Sequence, residues 1–268
     1  MADELWVTSS DGTSLRTFQQ GSGPSIVFVH GTLAAAPDWL EVARLLSGRF
    51  HTVVFDRRGR GGSGDGDRYS IDCEVDDIVA VASGCGAPAC VVGHSFGAIV
   101  AALAAARHPS AFRSLVVYEP PIDAGGGDGS VLADELDDLV ACGRLDDAVT
   151  RFVTVATGSS SHLDDVDPSV RSALRDAVVT AGREVRAASQ VLADGPTWAG
   201  RITVPTMVLL GIDQHDATYS GIEDFAGRLP NGQLERVPGG HLANLFAPGA
   251  VADQIATFVD SSHAYRSS

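Results

Sequence analysis

Short apolar runs alternate along most of the chain with stretches in which apolar residues recur every three or four positions. The short runs predict strands, and their nearly complete apolar character indicates burial on both faces. They lie at 25–30, 51–56, 89–93, 114–119, 205–211 and 233–238. Helical spacing occupies 37–48, 71–83, 96–107 and 248–260. This alternation predicts an α/β fold with helices on both faces of a parallel sheet, preceded by a hairpin at 5–19.

The alternation stops between residues 121 and 200, where the pattern becomes helical. This segment opens with the glycine-rich stretch DAGGGDGS, and about four helical patterns follow without a convincing strand. A flexible stretch followed by helices is typical of a lid or cap, although the helices could instead extend the core. We therefore predict a core made of residues 1–120 and 201–262, with a helical cap at 121–200. A flexible tail is predicted at 263–268.

One hydroxyl lies between two glycines in the stretch VVGHSFGAIVAA, at 91–102, where a predicted strand meets a predicted helix. The stretch matches G-x-S-x-G, a turn that holds a serine in strained backbone angles above the end of a strand. The small glycines let strand and helix approach each other, and the helix start favours negative charge. Both features suit a nucleophile whose reaction creates an oxyanion, so we predict that Ser95 is catalytic.

A serine hydroxyl needs a general base, and the base needs an acid that orients it. His241 follows the last predicted strand in VPGGHL, where two glycines let the loop bend over the sheet edge, and we predict that it is the base. For the acid, Asp213 is our first choice because the strand VPTMVLLG leads into IDQHD. Glu119, at the end of the run SLVVYE, and Asp216 stay open as alternatives.

The oxyanion of such a reaction needs two hydrogen-bond donors. The N–H of Phe96, directly after the nucleophile, is the first candidate. The loop VHGTL supplies the second, because Gly31 keeps the backbone open and Thr32 offers its N–H. His30 is predicted to shape this loop, and His30 and Gly31 are candidate substrate contacts.

Composition excludes several classes of protein. The 268 residues carry a formal net charge of −15, which opposes binding to nucleic acid. The four cysteines lack zinc-site spacing, and the acidic N-terminus lacks the apolar centre of a signal peptide. Because no run approaches the roughly 18 apolar residues that span a bilayer, we expect a cytoplasmic protein with no membrane, metal or cofactor partner.

A second glycine-rich stretch, DRRGRGGSG at 56–64, has the glycine spacing of a dinucleotide-binding loop. That loop requires a helix to begin among the glycines, whereas helical spacing here begins only near Ile71. We interpret the stretch instead as a polar surface loop in which Asp56 pairs with the arginines and Ser63 supports a turn.

Several motifs together resemble the α/β-hydrolase superfamily over nearly the full chain. They are HGT at 30–32, DRRGxGxS from Asp56, GHSFG at 93–97, YEPP at 118–121, LLGxD at 209–213 and GGH at 239–241. The resemblance implies an eight-stranded, mostly parallel sheet with a helical cap inserted after the sixth strand, and the order of serine, acid and histidine agrees with it. Many relatives place the acid where this chain has Gln214, which leaves the choice of acid open.

These residues predict a serine hydrolase that cleaves an ester or lactone through an acyl-enzyme. Activity should fall as His241 becomes protonated at mildly acidic pH. The alternatives are a biosynthetic thioesterase, acyltransferase or cyclase on the same fold, and a ligand-binding module with an inert triad. We expect a small-molecule apolar acyl substrate and a monomer or homodimer.

Overall fold

Eight strands form one sheet in the computed structural model, which describes residues 2–122, 129–164, 166–212 and 220–264. The strands are β1 (Asp3–Thr8), β2 (Ser14–Gln20), β3 (Ser25–Val29), β4 (His51–Phe55), β5 (Ala89–His94), β6 (Phe112–Tyr118), β7 (Thr206–Gly211) and β8 (Gly232–Val237). Their order across the sheet is β1-β2-β4-β3-β5-β6-β7-β8. The first two are antiparallel to their neighbours, and β3 to β8 are parallel. The structure confirms the α/β class and the eight-stranded, mostly parallel sheet.

Helices occupy most of the connections between the parallel strands. They are α1 (Leu40–Leu46), α2 (Ile71–Gly84), α3 (Phe96–Arg107), α4 (Gly129–Ala141), α5 (Leu145–Thr157), α6 (Pro168–Val178), α7 (Ala181–Leu192), α8 (Ser220–Arg228), α9 (Ala243–Phe246) and α10 (Pro248–Ala264). Within the described ranges, none of them combines the length and the apolar character that a bilayer crossing needs. Residues 265–268 lie outside those ranges, so the flexible tail stays a prediction.

The central parallel strands are buried on both faces because successive side chains enter two different apolar clusters, whereas the edge strand β8 is largely exposed or half-buried. In β3, Val27 and Val29 belong to the cluster that α2 and α3 cover. Ile26 and Phe28 belong to the cluster on the other face, which α1 and α10 cover. Side chains in a strand alternate between faces, so two covered faces require an uninterrupted apolar run.

Four helices, α4 to α7, lie between β6 and β7, and we call them the helical block. The block has an apolar cluster of its own, which includes Leu136, Val149 and Val178. Its position after the sixth strand agrees with the predicted insertion, although residues 123–128 of the glycine-rich opening lie outside the described part of the chain. The interpretation of the block as a cap, and the domain bounds, stay predictions.

The carboxyl ends of parallel strands meet at one edge of a sheet, where ligands of open α/β folds bind. At this edge β3 leads into residues 30–32, β5 into Ser95, β6 into Glu119 and β8 into the loop of His241. The strand β7 leads there into residues 213–219, which lie outside the described ranges. The topology therefore brings the segments with candidate chemistry to one place.

Candidate active site

Ser95 lies in a strained turn between β5 and α3, with φ 53° and ψ −123°. Such angles are uncommon for a residue with a side chain and persist only where the surroundings enforce them. The Ser95 N–H donates to the carbonyl oxygen of Tyr118 at 2.9 Å. A Cβ on Gly97 would lie 2.5 Å from the carbonyl oxygens of Val29 and His30, so the close approach of α3 to β3 requires glycine. This is the strand–turn–helix geometry of G-x-S-x-G.

Glu119 and His241 form a pair at the same edge, with 2.8 Å between Oε2 and Nδ1. Glu119 is completely buried, and its other oxygen, Oε1, accepts the Gly211 N–H at 2.8 Å. A carboxylate only accepts hydrogen bonds, so Nδ1 carries a proton and Nε2 is the basic nitrogen of the neutral ring. A histidine oriented in this way can act as a general base.

Among the three acid candidates, Glu119 is the one that the described residues bring to the imidazole. Asp213 and Asp216 lie outside the described ranges. Glu119 and His241 follow β6 and β8, and the end of β7 packs between them: a Cβ on Gly211 would lie 2.4 Å from the Gly239 carbonyl oxygen. Glu119, an alternative that the sequence left open, contacts His241, and the choice of Asp213 as the acid stays a prediction.

Tyr118, which sequence reasoning did not assign to the site, holds the loop that carries His241. Its hydroxyl donates to the Gly240 carbonyl oxygen and accepts the Ala243 N–H, the latter at 2.9 Å. Burial raises the pKa of this phenol, so it keeps its proton and can serve as a donor. A hydroxylated ring directly after the aliphatic run LVV, at the end of β6, is the signal that could have identified it.

His94, beside the nucleophile, is buried against the candidate base. The centre of its ring is 4.6 Å from that of His241 and 4.8 Å from that of Tyr118, on which it stacks. Trp39 meets it edge-on at 6.2 Å. Burial, with a further contribution from His241, lowers the pKa of His94 well below its usual value. The neutral ring supports His241 without placing a second positive charge beside it.

His30 is completely buried behind the loop at 30–32. Its Nδ1–H donates to the Gly31 carbonyl oxygen at 2.9 Å, and Nε2 accepts the Arg57 N–H at 3.0 Å. Burial, with the charge of Arg57, lowers the pKa of His30 well below its usual value, so the ring is neutral and its Nε2 is free to accept a hydrogen bond. Both ring nitrogens therefore bind backbone groups and connect the loop at 30–32 to the residues after β4. The substrate contact of His30 stays a prediction. Gly31 passes close to the nucleophile, since a Cβ there would lie 3.0 Å from the Ser95 Cβ.

The first part of the loop after β4, residues 56–60, is largely buried, which corrects the prediction of a polar surface loop there, whereas most of residues 61–68 are exposed. Almost no surface is left exposed on its three arginines, Arg57, Arg58 and Arg60. Their carboxylate partners come largely from distant helices, and the buried ones are Glu74, Asp77 and Glu184. Asp56 pairs with Arg16 of β2, not with the adjacent arginines, whereas Ser63 supports the turn by donating to the Asp56 carbonyl oxygen. Arginines can be buried here because each is matched by a carboxylate.

The fold and the serine turn define a class of protein that comparison with known families identifies. The model of the alpha/beta hydrolase family matches residues 26–254, so the chain belongs to this family. Four of the motifs that suggested this family from sequence, at 30–32, 93–97, 118–121 and 239–241, lie at or next to the sheet edge described above. The chain is therefore a member of a family of hydrolases.

Individual relatives extend this similarity over nearly the whole chain. A 2-(acetamidomethylene)succinate hydrolase from Mesorhizobium japonicum is 25% identical over 263 residues, with 92% of each chain covered. An N-formylmaleamate deformylase from Pseudomonas putida is 37% identical over 109 residues, a match that spans 41% of that protein and 40% of this chain. The crystal structure of an alpha/beta hydrolase from Sphaerobacter thermophilus has a TM-score of 0.84 at 28% identity and covers 95% of this chain and 100% of that one.

Proposed function

We propose that this protein is a serine hydrolase that cleaves a small, apolar carboxylic ester or lactone. The observation that carries the proposal is the contact between the buried Glu119 and the partly buried His241, 2.8 Å from oxygen to nitrogen, at the sheet edge that also holds the strained Ser95. Ser95 is the proposed nucleophile, His241 the base and Glu119 the acid that orients the imidazole. Membership of a hydrolase family supports the reaction class.

The proposed reaction proceeds through an acyl-enzyme. His241 Nε2 takes the hydroxyl proton as Ser95 Oγ attacks the carbonyl carbon, and the electron pair of the C=O bond moves to its oxygen. The tetrahedral intermediate collapses as His241 gives the proton to the leaving alkoxide oxygen. Water then attacks the acyl carbon and gives a proton to His241, which returns it to Ser95 Oγ as the carboxylic acid departs. Glu119 stabilises the imidazolium that forms in each half of the reaction.

The N–H groups of Thr32 and Phe96 are the proposed donors to the oxyanion. Phe96 is the first residue of α3, so its N–H has no carbonyl partner within that helix. The direction of the Thr32 N–H follows from the Gly31 carbonyl group in the same peptide unit. The Gly31 oxygen accepts hydrogen bonds from His30 Nδ1–H at 2.9 Å and from Arg57 Nη1–H at 3.2 Å. The C=O and N–H of a trans peptide point in opposite directions, so the Thr32 N–H faces away from both donors.

An apolar acyl group is proposed because the residue directly after Thr32 packs against apolar side chains of the helical block. Leu33, directly after Thr32, has φ 59° and packs against the apolar cluster of the block. The partly buried members of that cluster include Leu132 and Phe152. An acyl chain that extended from the oxyanion loop along Leu33 would therefore contact methyl groups and rings.

A second candidate is the hydrolysis of a nitrogen-bound acyl group. The hydrolase from Mesorhizobium japonicum and the deformylase from Pseudomonas putida carry such a group in their names, acetamido in the first and N-formyl in the second. The steps above apply unchanged, except that His241 gives its proton to a leaving nitrogen instead of an oxygen. Thioesters, the substrates of the biosynthetic alternative, enter the same test as a third class.

Activity-based labelling tests the proposal. A fluorophosphonate should add one phosphonyl group to the parent protein at Ser95, located by peptide mass spectrometry, and Ser95→Ala should abolish the labelling. With p-nitrophenyl esters, lactones, thioesters and N-formyl amides as substrates, S95A should lower kcat on the preferred class at least about 10⁴-fold. Ser83→Ala, which removes an exposed hydroxyl on α2, is the matched control.

Two results would change the conclusion. Turnover of the preferred substrate by S95A at the parent rate would refute a serine nucleophile. A kcat/KM for N-formyl amides well above that for esters and lactones would select the second candidate in place of the first.

A further inference from the structure

Four charged side chains meet in the interior between the loop after β4, α2 and α7. We call them the buried ion cluster: Arg57, Arg60, Glu74 and Glu184. None of these side chains is more than 2% exposed. Arg57 Nη2 lies 2.6 Å from Glu74 Oε1 and 3.3 Å from Glu184 Oε1, and Arg60 Nη2 lies 2.6 Å from the same Glu184 oxygen. The formal charges cancel, but burial of charge remains costly, so the cluster calls for an explanation beyond stability.

The cluster touches the oxyanion loop on two sides. Glu184, the member contributed by the helical block, accepts the Thr32 hydroxyl on Oε2 at 2.8 Å. Arg57 Nη1 donates to the Gly31 carbonyl oxygen at 3.2 Å and approaches Glu184 Oε2 at 3.4 Å. One carboxylate–guanidinium pair therefore holds both the carbonyl that precedes the Thr32 N–H and the side chain of Thr32 itself.

We propose that Glu184 is a positioning residue that fixes the Thr32 N–H for the oxyanion, so that helix α7 helps to set the rate of the reaction. The inference rests on the proposed function. Glu184 acts through Thr32 and Arg57 and does not touch substrate. A donor that is oriented before reaction contributes most to catalysis, and a displacement of about 1 Å costs up to about 10²-fold in rate.

The negative charge of Glu184 is part of this arrangement. Burial alone would raise the pKa of the carboxyl, but Arg57 and Arg60 outweigh burial and hold the pKa below its usual value. The ionised group accepts bonds from both arginines and from the hydroxyls of Thr32 and Thr180. A glutamine in its place keeps the shape but turns an N–H₂ group toward donors, so the contacts cannot all be kept.

Two substitutions and a matched control test the role of Glu184. Glu184→Gln removes the charge, and Thr32→Val removes only the hydroxyl while keeping the N–H. Asp65→Asn is the control, because Asp65 pairs with Arg183 on the same helix, is exposed and lies outside the oxyanion loop. For each protein, kcat and KM are measured per active site titrated with fluorophosphonate. Inhibition by a trifluoromethyl ketone, which forms an oxyanion with Ser95, is compared with inhibition by the matching amide, which does not.

We expect T32V and E184Q to lower kcat between about 10-fold and 100-fold with KM within about twofold. Binding of the ketone should weaken in parallel, binding of the amide should not, and D65N should behave like the parent. The double variant T32V/E184Q should have the same kcat as E184Q, because both changes break the same contact, between the Thr32 hydroxyl and Glu184.

Two other outcomes would overturn the proposed role of Glu184. Parent-like kcat and ketone binding in T32V and E184Q, on a parent that is labelled at Ser95, would overturn this inference and leave the proposed function intact. A parent that is not labelled at Ser95 would overturn both. If E184Q does not fold, T32V alone decides, since it leaves every charge in place.

Discussion

Mild acid should destabilise this protein through two buried histidines, His30 and His94. Burial lowers the pKa of both rings well below the usual value of 6.5, so the folded protein keeps them neutral as the pH falls. In the unfolded chain both rings meet water and bind protons below pH 6.5. Unfolding at pH 5.5 therefore takes up protons that the native state does not bind.

The sign and the size of the effect follow from this difference. The stabilising contribution of each neutral ring is complete above pH 6.5 and is lost as the pH falls toward its native pKa. Each proton bound only by the unfolded state lowers the free energy of unfolding by about 1.4 kcal/mol per pH unit. Allowing for partial protonation near pH 6.5, the two rings together cost about 2 kcal/mol between pH 6.5 and pH 5.5.

Urea unfolding, followed by tryptophan fluorescence at several pH values from 5.5 to 7.5, measures this loss. His94→Asn removes one titrating ring, so about 1 kcal/mol of the decrease over that interval should disappear. His108→Asn, at an exposed position after α3, is the control and should keep the parent slope. If H94N lost stability with pH as steeply as the parent, His94 would be protonated in the native state and the argument from burial would be wrong.

Two further predictions concern the support of the proposed base. Glu119→Gln should lower kcat by up to about 10⁴-fold in ester assays without unfolding the protein, because an amide cannot stabilise the imidazolium of His241. If Asp213→Asn lowered kcat by that factor and Glu119→Gln did not, the acid would instead be Asp213, in the segment after β7. Tyr118→Phe removes the hydroxyl that bonds both the Gly240 carbonyl oxygen and the Ala243 N–H, which keep only their mutual bond of 3.1 Å. At about 0.5–1.5 kcal/mol for each of the two lost bonds, the free energy of unfolding in urea titrations should fall by about 1–3 kcal/mol. The same variant should lower kcat about tenfold through a less fixed His241, and an unchanged kcat would show that the loop is held by other contacts.

The sheet and the nucleophile turn could be predicted from the sequence because both depend on local patterns. Two-sided burial demands continuous apolar runs, and these appear directly in the chain. The turn at Ser95 needs small residues two positions on either side, which is also a local feature. His241 could be predicted for a related reason, since the glycines that bend its loop adjoin it.

The contact between Glu119 and His241 and the burial of the arginines could not be predicted in the same way, because both depend on residues from distant parts of the chain. Glu119 and Asp213 both follow strands that end at the active edge, and sequence does not reveal which side chain turns toward His241. Arg57 occupies a glycine-rich stretch that is typical of a surface loop. Its burial depends on carboxylates 17 and 127 positions away, which only the folded chain brings to it.

The close packing of backbone around Ser95 restricts which nearby positions can be substituted to change the substrate specificity. Any side chain at position 97 would meet two backbone carbonyl oxygens at 2.5 Å, and one at position 31 would meet the β-carbon of Ser95 at 3.0 Å. Backbone this tightly packed cannot yield as a flexible side chain can. Directed evolution would therefore find positions 31 and 97 closed to variation, and changes in selectivity have to be sought at other positions around Ser95.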